Sequence, residues 1–171
     1  MSSVHRNTFQ VARAINLDVR KELGPPEEGR IVSSSAIVPR SLVRGTRGYL
    51  EKVANQANGC YENGWYDSCA VMLRRLLETL IIETFEKFSL AHKIKNSQGD
   101  FLYLRDLISA CLSEPAWNLS RNCKQALPKL KDIGDKSAHS RRFNAQRGDI
   151  EPLSADLRLV VQELLYLAGL K

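Results

Sequence analysis

The chain has few of the residues that metal and disulfide chemistry need. Its 171 residues include four cysteines, Cys60, Cys69, Cys111 and Cys123, which are widely spaced and form no CxxC pair. Such spacing makes a poor zinc site and a poor disulfide framework. Each cysteine sits near apolar helix positions, so buried free thiols are expected. The three histidines, His5, His92 and His139, are equally scattered, and neither a metal nor a cofactor is expected. Long hydrophobic runs are missing too. Nothing approaches the roughly 20 apolar residues that span a bilayer, and the most apolar stretch, from Leu76 to Ile82, is broken by Glu78 and Thr79. The opening MSSVHRNTFQ has no apolar h-region, so it is not expected to be a secretory signal. The expectation is a cytoplasmic protein with no membrane contact. Internal repeats, low-complexity tracts and strand-type alternation are also absent.

What is present suits a helical domain. The apolar fraction of 43% is ordinary for a globular chain, and the length allows one domain with a proper core. Residues 1–23 carry Phe9, Ala12, Ile15 and Val19 at helical spacing, before Gly24-Pro25-Pro26. Gly24 to Ser41 reads as a linker rich in Pro, Gly and Ser. A first core helix is marked by Leu50, Val53, Ala57, Cys60 and Tyr61 and ends at Asn63-Gly64. A second begins near Asp67, close enough to make the two antiparallel neighbours. Leu73, Leu76, Leu77, Leu80 and Ile81 fill one side of it, and Val71, Ile82 and Phe85 add another, which places it centrally or in an interface. Arg74, Arg75 and Glu78 occupy the remaining side at ion-pairing distance along the helix. Asp100 is the expected N-cap of a third helix carrying Leu104, Leu107, Ile108 and Cys111. A fourth starts near Asn118 or Ser120, with Pro128 expected to kink or restart it and Gly134 to end or bend it. A last helix starts around Pro152. The predicted architecture is all-α: an antiparallel four-helix up-and-down bundle over 38–171, with a helical N-terminal arm and linker over 1–37.

The charge is uneven. The net +6 of the chain is concentrated between Asn118 and Ile150, where eight cations face three anions, a local excess of +5. A basic segment suits a polyanion such as RNA or DNA, although a solvated face is the plainer account. Within it, KLKDIGDKSAHSRR, from Lys129 to Arg142, places His139 among cations. An imidazole, with an ordinary pKa of about 6.5, exchanges protons near neutrality. Beside it, a guanidinium or ammonium can steady a phosphorane, so RNA cleavage without a metal is chemically open. A structural role, with His139 capping or packing at a helix end, is the plainer account.

GWYDSCAVMLRRLLETLI, followed much later by LKDIGDKSAH, resembles the HEPN superfamily of small helical domains. It is similar to a bacterial group in that superfamily with an "LRRxLE" run and, shortly before the last helix, an "IGNxAAH" run. The resemblance covers about Val38 to Leu170. It implies a four-helix bundle, commonly a homodimer, and in many members a metal-independent endoribonuclease. The motif of those members is an arginine, a following polar residue and a histidine a few residues on, with two motifs meeting across the dimer. Carried over, the histidine is His139 and the polar residue Asp135. The arginine falls at Gly134, Ile133 or Asp132, none of which is arginine. Lys131, Lys136, Arg141 and Arg142 are then the candidate phosphate-binding cations. The implied function is a dimer that binds RNA or a nucleotide ligand and cleaves RNA weakly through a degenerate motif. The alternative is a non-catalytic dimerisation or protein-interaction module, such as an accessory subunit of a bacterial defence or toxin–antitoxin system. In that case the N-terminal arm would dock on a protein partner, and Asp135 and His139 would make hydrogen bonds between helices.

Overall fold

The computed structural model describes residues 36–171, together with Gln10, Val11 and Ala14. The expected N-terminal helix, apart from those three positions, and most of the linker lie outside the described residues. The described part is an all-α bundle with no strand. Its longer helices are α1 (Gly48–Glu62), α2 (Tyr66–Lys87), α3 (Leu104–Ser113), α4 (Arg121–His139) and α5 (Ser154–Leu167). Short helical turns at Arg40–Val43, Ala91–Ile94, Arg147–Ile150 and Glu151–Leu153 join them.

α1 ends where the sequence predicts. Gly64 takes φ +74°, and Trp65 N donates to Cys60 O at 2.9 Å, turning the chain back within three residues. α2 follows as the antiparallel neighbour of α1 and touches α3, α4 and α5 as well. Its apolar surface exceeds one face because it is the central helix. Leu76, Leu77, Leu80, Ile81 and Phe85 are all fully buried within this one chain, each contributing roughly 1.5–3 kcal/mol by burial.

Two clasps close the N-terminal side. Asn58 is buried on α1, and its amide holds the Val38 backbone from both sides: Val38 N donates to Oδ1 and Nδ2 donates to Val38 O, each at 2.9 Å. Glu83 of α2 is the second. Its carboxylate accepts from Arg47 Nε at 2.8 Å and from the Tyr49 hydroxyl. Burial and that bond push the Tyr49 hydroxyl up to about 12.

Three local expectations change. Asp100 does not cap α3, which starts after Tyr103 with no side-chain cap. Asn96 organises that loop instead, its Oδ1 accepting from Gln98 N and Asp100 N, both at 2.9 Å. α4 is not restarted at Pro128, which lies on its exposed side while Leu127 and Leu130 beside it are buried. Nor does α4 end at Gly134. The helix runs through to His139, and Gly134 is not among the positive-φ glycines.

Of the cysteines, Cys69, Cys111 and Cys123 are buried and Cys60 half-buried, all as free thiols. Burial pushes the three buried thiols up to about 12, so they remain protonated and unreactive at neutral pH.

Candidate nucleic-acid interface

The candidate residues lie on the second half of α4 and the loop after it. Cys123, Leu127, Leu130, Ile133 and Gly134 form the buried stripe of this helix, spaced by three and four. α2 and α5 receive that stripe. Gly134 continues it four residues after Leu130, and its lack of a side chain is what α2 requires. A Cβ there would stand 2.7 Å from Arg74 Cβ and 3.3 Å from the Ala70 carbonyl oxygen. The two helices therefore meet closely at Gly134.

Beside that contact lies a chain of alternating charges. Arg74 of α2 donates through Nε to Asp135 Oδ1 at 3.0 Å and through Nη1 to Glu78 Oε1 at 2.8 Å. Lys131 Nζ meets the other Asp135 oxygen at 2.6 Å. The expected Arg74–Glu78 pair along α2 is present, but Arg74 also spans to α4. Partial burial pulls the Asp135 carboxyl upward, yet the hydrogen bonds from Lys131 and Arg74 outweigh it and hold it below the usual carboxylate range. Burial dominates at Glu78 and raises it despite Arg74.

α4 ends at Ser140, which takes extended φ/ψ. The Ser140 hydroxyl accepts from Phe143 N at 3.2 Å, and Asp67 of α2 then catches Ala145 N at 3.0 Å. The loop between those anchors exposes Arg141 and Arg142. Lys136 and His139 are exposed on the last turn of the helix. None of these four makes an ion pair with a described residue.

The structure thus divides the six candidate residues. Asp135 and Lys131 belong to the Arg74 cluster, and Lys131 is not a free cation. Lys136, His139, Arg141 and Arg142 share one exposed end. Asp135 makes the interhelical hydrogen bond expected in the structural alternative, to Arg74. His139 makes none with a described residue. Two features escaped the sequence reading: Arg74 as a partner of α4, and Gly134 as a contact. The second was visible in principle, because Gly134 falls on the apolar stripe.

A groove of about 660 Å³ runs along the outside of α5, lined by Arg158, Leu159, Gln162, Glu163 and Tyr166 among others. It lies on another helix from His139. Glu163 there is engaged in holding the start of α4, accepting from Ser120 N at 2.5 Å and Ser120 Oγ at 2.7 Å. Among the described residues no group of three or more His, Cys, Asp or Glu side chains could hold a metal, and no helix is long and apolar enough to cross a membrane.

No protein-family model, curated protein or solved structure matches the chain.

Proposed function

We propose that the chain is a HEPN-like helical domain that binds RNA through the C-terminal end of α4, with His139 as its proton-transfer group. The observation that carries this reading is the grouping of Lys136, Arg141 and Arg142 with His139 on one exposed end, none paired to a described carboxylate. Unpaired cations neutralise phosphates and release condensed counterions, whereas paired ones such as Lys131 gain little. An exposed imidazole among them is placed to take a proton from a 2′-OH or give one to a leaving oxygen. A homodimer would bring two such ends together. Its support is the resemblance alone, since the apolar surface of α2 is used inside the chain.

The test is RNA binding by a K136Q/R141Q/R142Q variant across a salt series. Binding should weaken, and the log–log salt slope should flatten by about one unit for each phosphate that is no longer neutralised. An unchanged slope places the site elsewhere. Cleavage of a mixed RNA pool in EDTA, by the wild type and by H139A, decides whether binding leads to chemistry.

The non-catalytic reading, an interaction module of a defence or toxin–antitoxin system, has one observation in its favour. Asp135 is turned to Arg74 and Lys131 rather than left free beside His139. RNA binding without cleavage by the wild type would select it.

A further inference from the structure

The α4 segment carries an aspartate one helical turn before His139, in the middle of what is otherwise a cationic end. Left alone, that carboxylate would repel phosphate and attract a proton to the imidazole, since residues four apart on a helix are neighbours at about 6 Å. It is not left alone. Arg74 reaches across from α2 to bond Asp135 at 3.0 Å, and Lys131 closes on its other oxygen at 2.6 Å. Arg74 and Lys131 together face Asp135, Glu78 and, 3.5 Å from Lys131, Asp132. Gly134 makes the reach possible, because any larger residue there would displace the Arg74 side chain at its Cβ.

We infer that Arg74 is a positioning residue of the RNA-binding end: by crossing from α2 to share Asp135 with Lys131, it reduces the negative charge that Asp135 presents to the His139 end of α4. The inference deepens the RNA-binding reading and rests on it for its ligand. Arg74 is four-fifths buried on its side chain and is not assigned a contact with RNA. Its effect passes through Asp135. The other charged groups around this end are Asp132 and Lys136 on α4, Arg141 and Arg142 after it, Asp67 on α2, and Arg147 and Asp149 in the following turn. Asp67 and Asp149 hold backbone amides, and Arg147 pairs with Glu151. R74Q leaves all of them in place.

The experiment compares wild type, R74Q, D135N and R74Q/D135N. The readouts are affinity for a mixed-sequence RNA at low salt, the NMR titration midpoint of His139, and a thermal melt to confirm folding. Freeing one oxygen of the Asp135 carboxylate, with Lys131 still on the other, should weaken RNA binding by up to about threefold and raise the His139 midpoint. Removing that carboxylate as well, in R74Q/D135N, should restore both to within error of D135N. A folded R74Q whose His139 midpoint is unchanged overturns the inference, as does a double variant as weak as R74Q alone. The His139 titration needs no RNA, so it decides the role of Arg74 even if the wild type fails to bind RNA. That failure would instead count against the RNA-binding reading. If R74Q does not fold, R74K supplies the same comparison. Lysine keeps the charge, and a midpoint equal to wild type is the expected result. A raised midpoint in folded R74K, with D135N unable to reverse it, overturns the inference.

Discussion

The two ends of α4 are built differently. At the start, Ser120 is a full N-cap: its hydroxyl accepts from Cys123 N at 3.2 Å while donating to Glu163 of α5. Trp117 just before it is buried, stacks edge-on against Phe85 and donates to Cys111 O at 3.1 Å. These polar groups have their partners in other elements or in the helix itself. At the far end, among the described residues, interhelical bonding stops at Asp135, and the last turn projects Lys136 and His139 outward. Cations in a last turn complement the helix dipole, which stabilises the helix by a few tenths of a kcal/mol whether or not RNA binds. The dipole accounts for Lys136 and His139. Arg141 and Arg142 lie just beyond the helix and make no ion pair with a described residue. One end of α4 therefore serves the fold, and the other carries more charge than the fold uses.

The boundary between the two regimes is Gly134, and the largest expected effect lies there. G134L should cost on the order of 3 kcal/mol in urea denaturation, because the new side chain meets Arg74 and the Ala70 carbonyl in a packed interface. Gly59 supplies the contrast. It also lies inside a helix, α1, but a Cβ there would meet nothing within 4 Å. G59A should stabilise by about 1 kcal/mol, the ordinary helical difference between Gly and Ala, while G134A should lose stability despite the same propensity gain. A stabilised G134A would show that α2 and α4 do not meet closely at this point.

The next effect sharpens the capped end. S120A should cost about 1 kcal/mol, measured by thermal or urea melts. It should leave RNA binding unchanged, because the cap is at the other end of the helix. A loss of RNA affinity as large as the stability change would mean that the two ends are coupled.

Much of this was legible from residues alone. The all-α class, the Asn63-Gly64 turn, the Ser120 start and the central position of α2 follow from spacing and capping chemistry, which act within a few residues. Asp100 misled because a plausible N-cap residue precedes α3, yet Asn96 captures the neighbouring amides in a competing turn. Gly134 misled for a different reason. A helical glycine reads as a break when only local propensity is weighed, and as a contact only once the facing helix is known. Arg74 shows the same limit. Its pair with Glu78 is written in the i, i+4 spacing, while its pair with Asp135 spans 61 residues and depends on how α2 and α4 align. The grouping of Lys136, His139, Arg141 and Arg142 was visible as composition, but which cations stay unpaired is a property of packing.

A smaller effect is expected from pH. The Asp135 carboxyl is held below its ordinary value of about 3.9. A depressed carboxylate contributes stability that is present above the unfolded-state value and is lost as pH falls through the folded-state value. Glu78 is shifted the other way, so it favours the fold while protonated, and that contribution fades as pH rises through its raised value. The two oppose each other in acid, and D135N separates them. At pH 7 the variant should be less stable by under about 1 kcal/mol, because the Asp135 side chain is about a third exposed and screened. Below pH 4 the gap between variant and wild type should close. A gap that stays constant down to pH 2 would mean that the substitution acts through shape and not through charge.

The smallest change in stability belongs to the residue with the most to say about function. His139 is exposed at the last position of α4 and bonds to no described residue. H139A should therefore shift stability by less than about 0.5 kcal/mol, as exposed substitutions do. A bonded turn histidine would instead cost roughly 1–3 kcal/mol through the partner left unpaired, and a melt distinguishes the two. With the melt unchanged, the activity becomes interpretable. If the wild type cleaves RNA in EDTA and H139A does not, the loss belongs to proton transfer rather than to folding. RNA affinity should fall little, since Lys136, Arg141 and Arg142 remain. If H139A loses affinity as strongly as the triple cation variant, His139 acts as one more charge at the phosphate, and binding should then weaken in the wild type as pH rises through the His139 midpoint. Equal cleavage by both proteins would remove His139 from the chemistry and leave the free end of α4 as a binding surface alone.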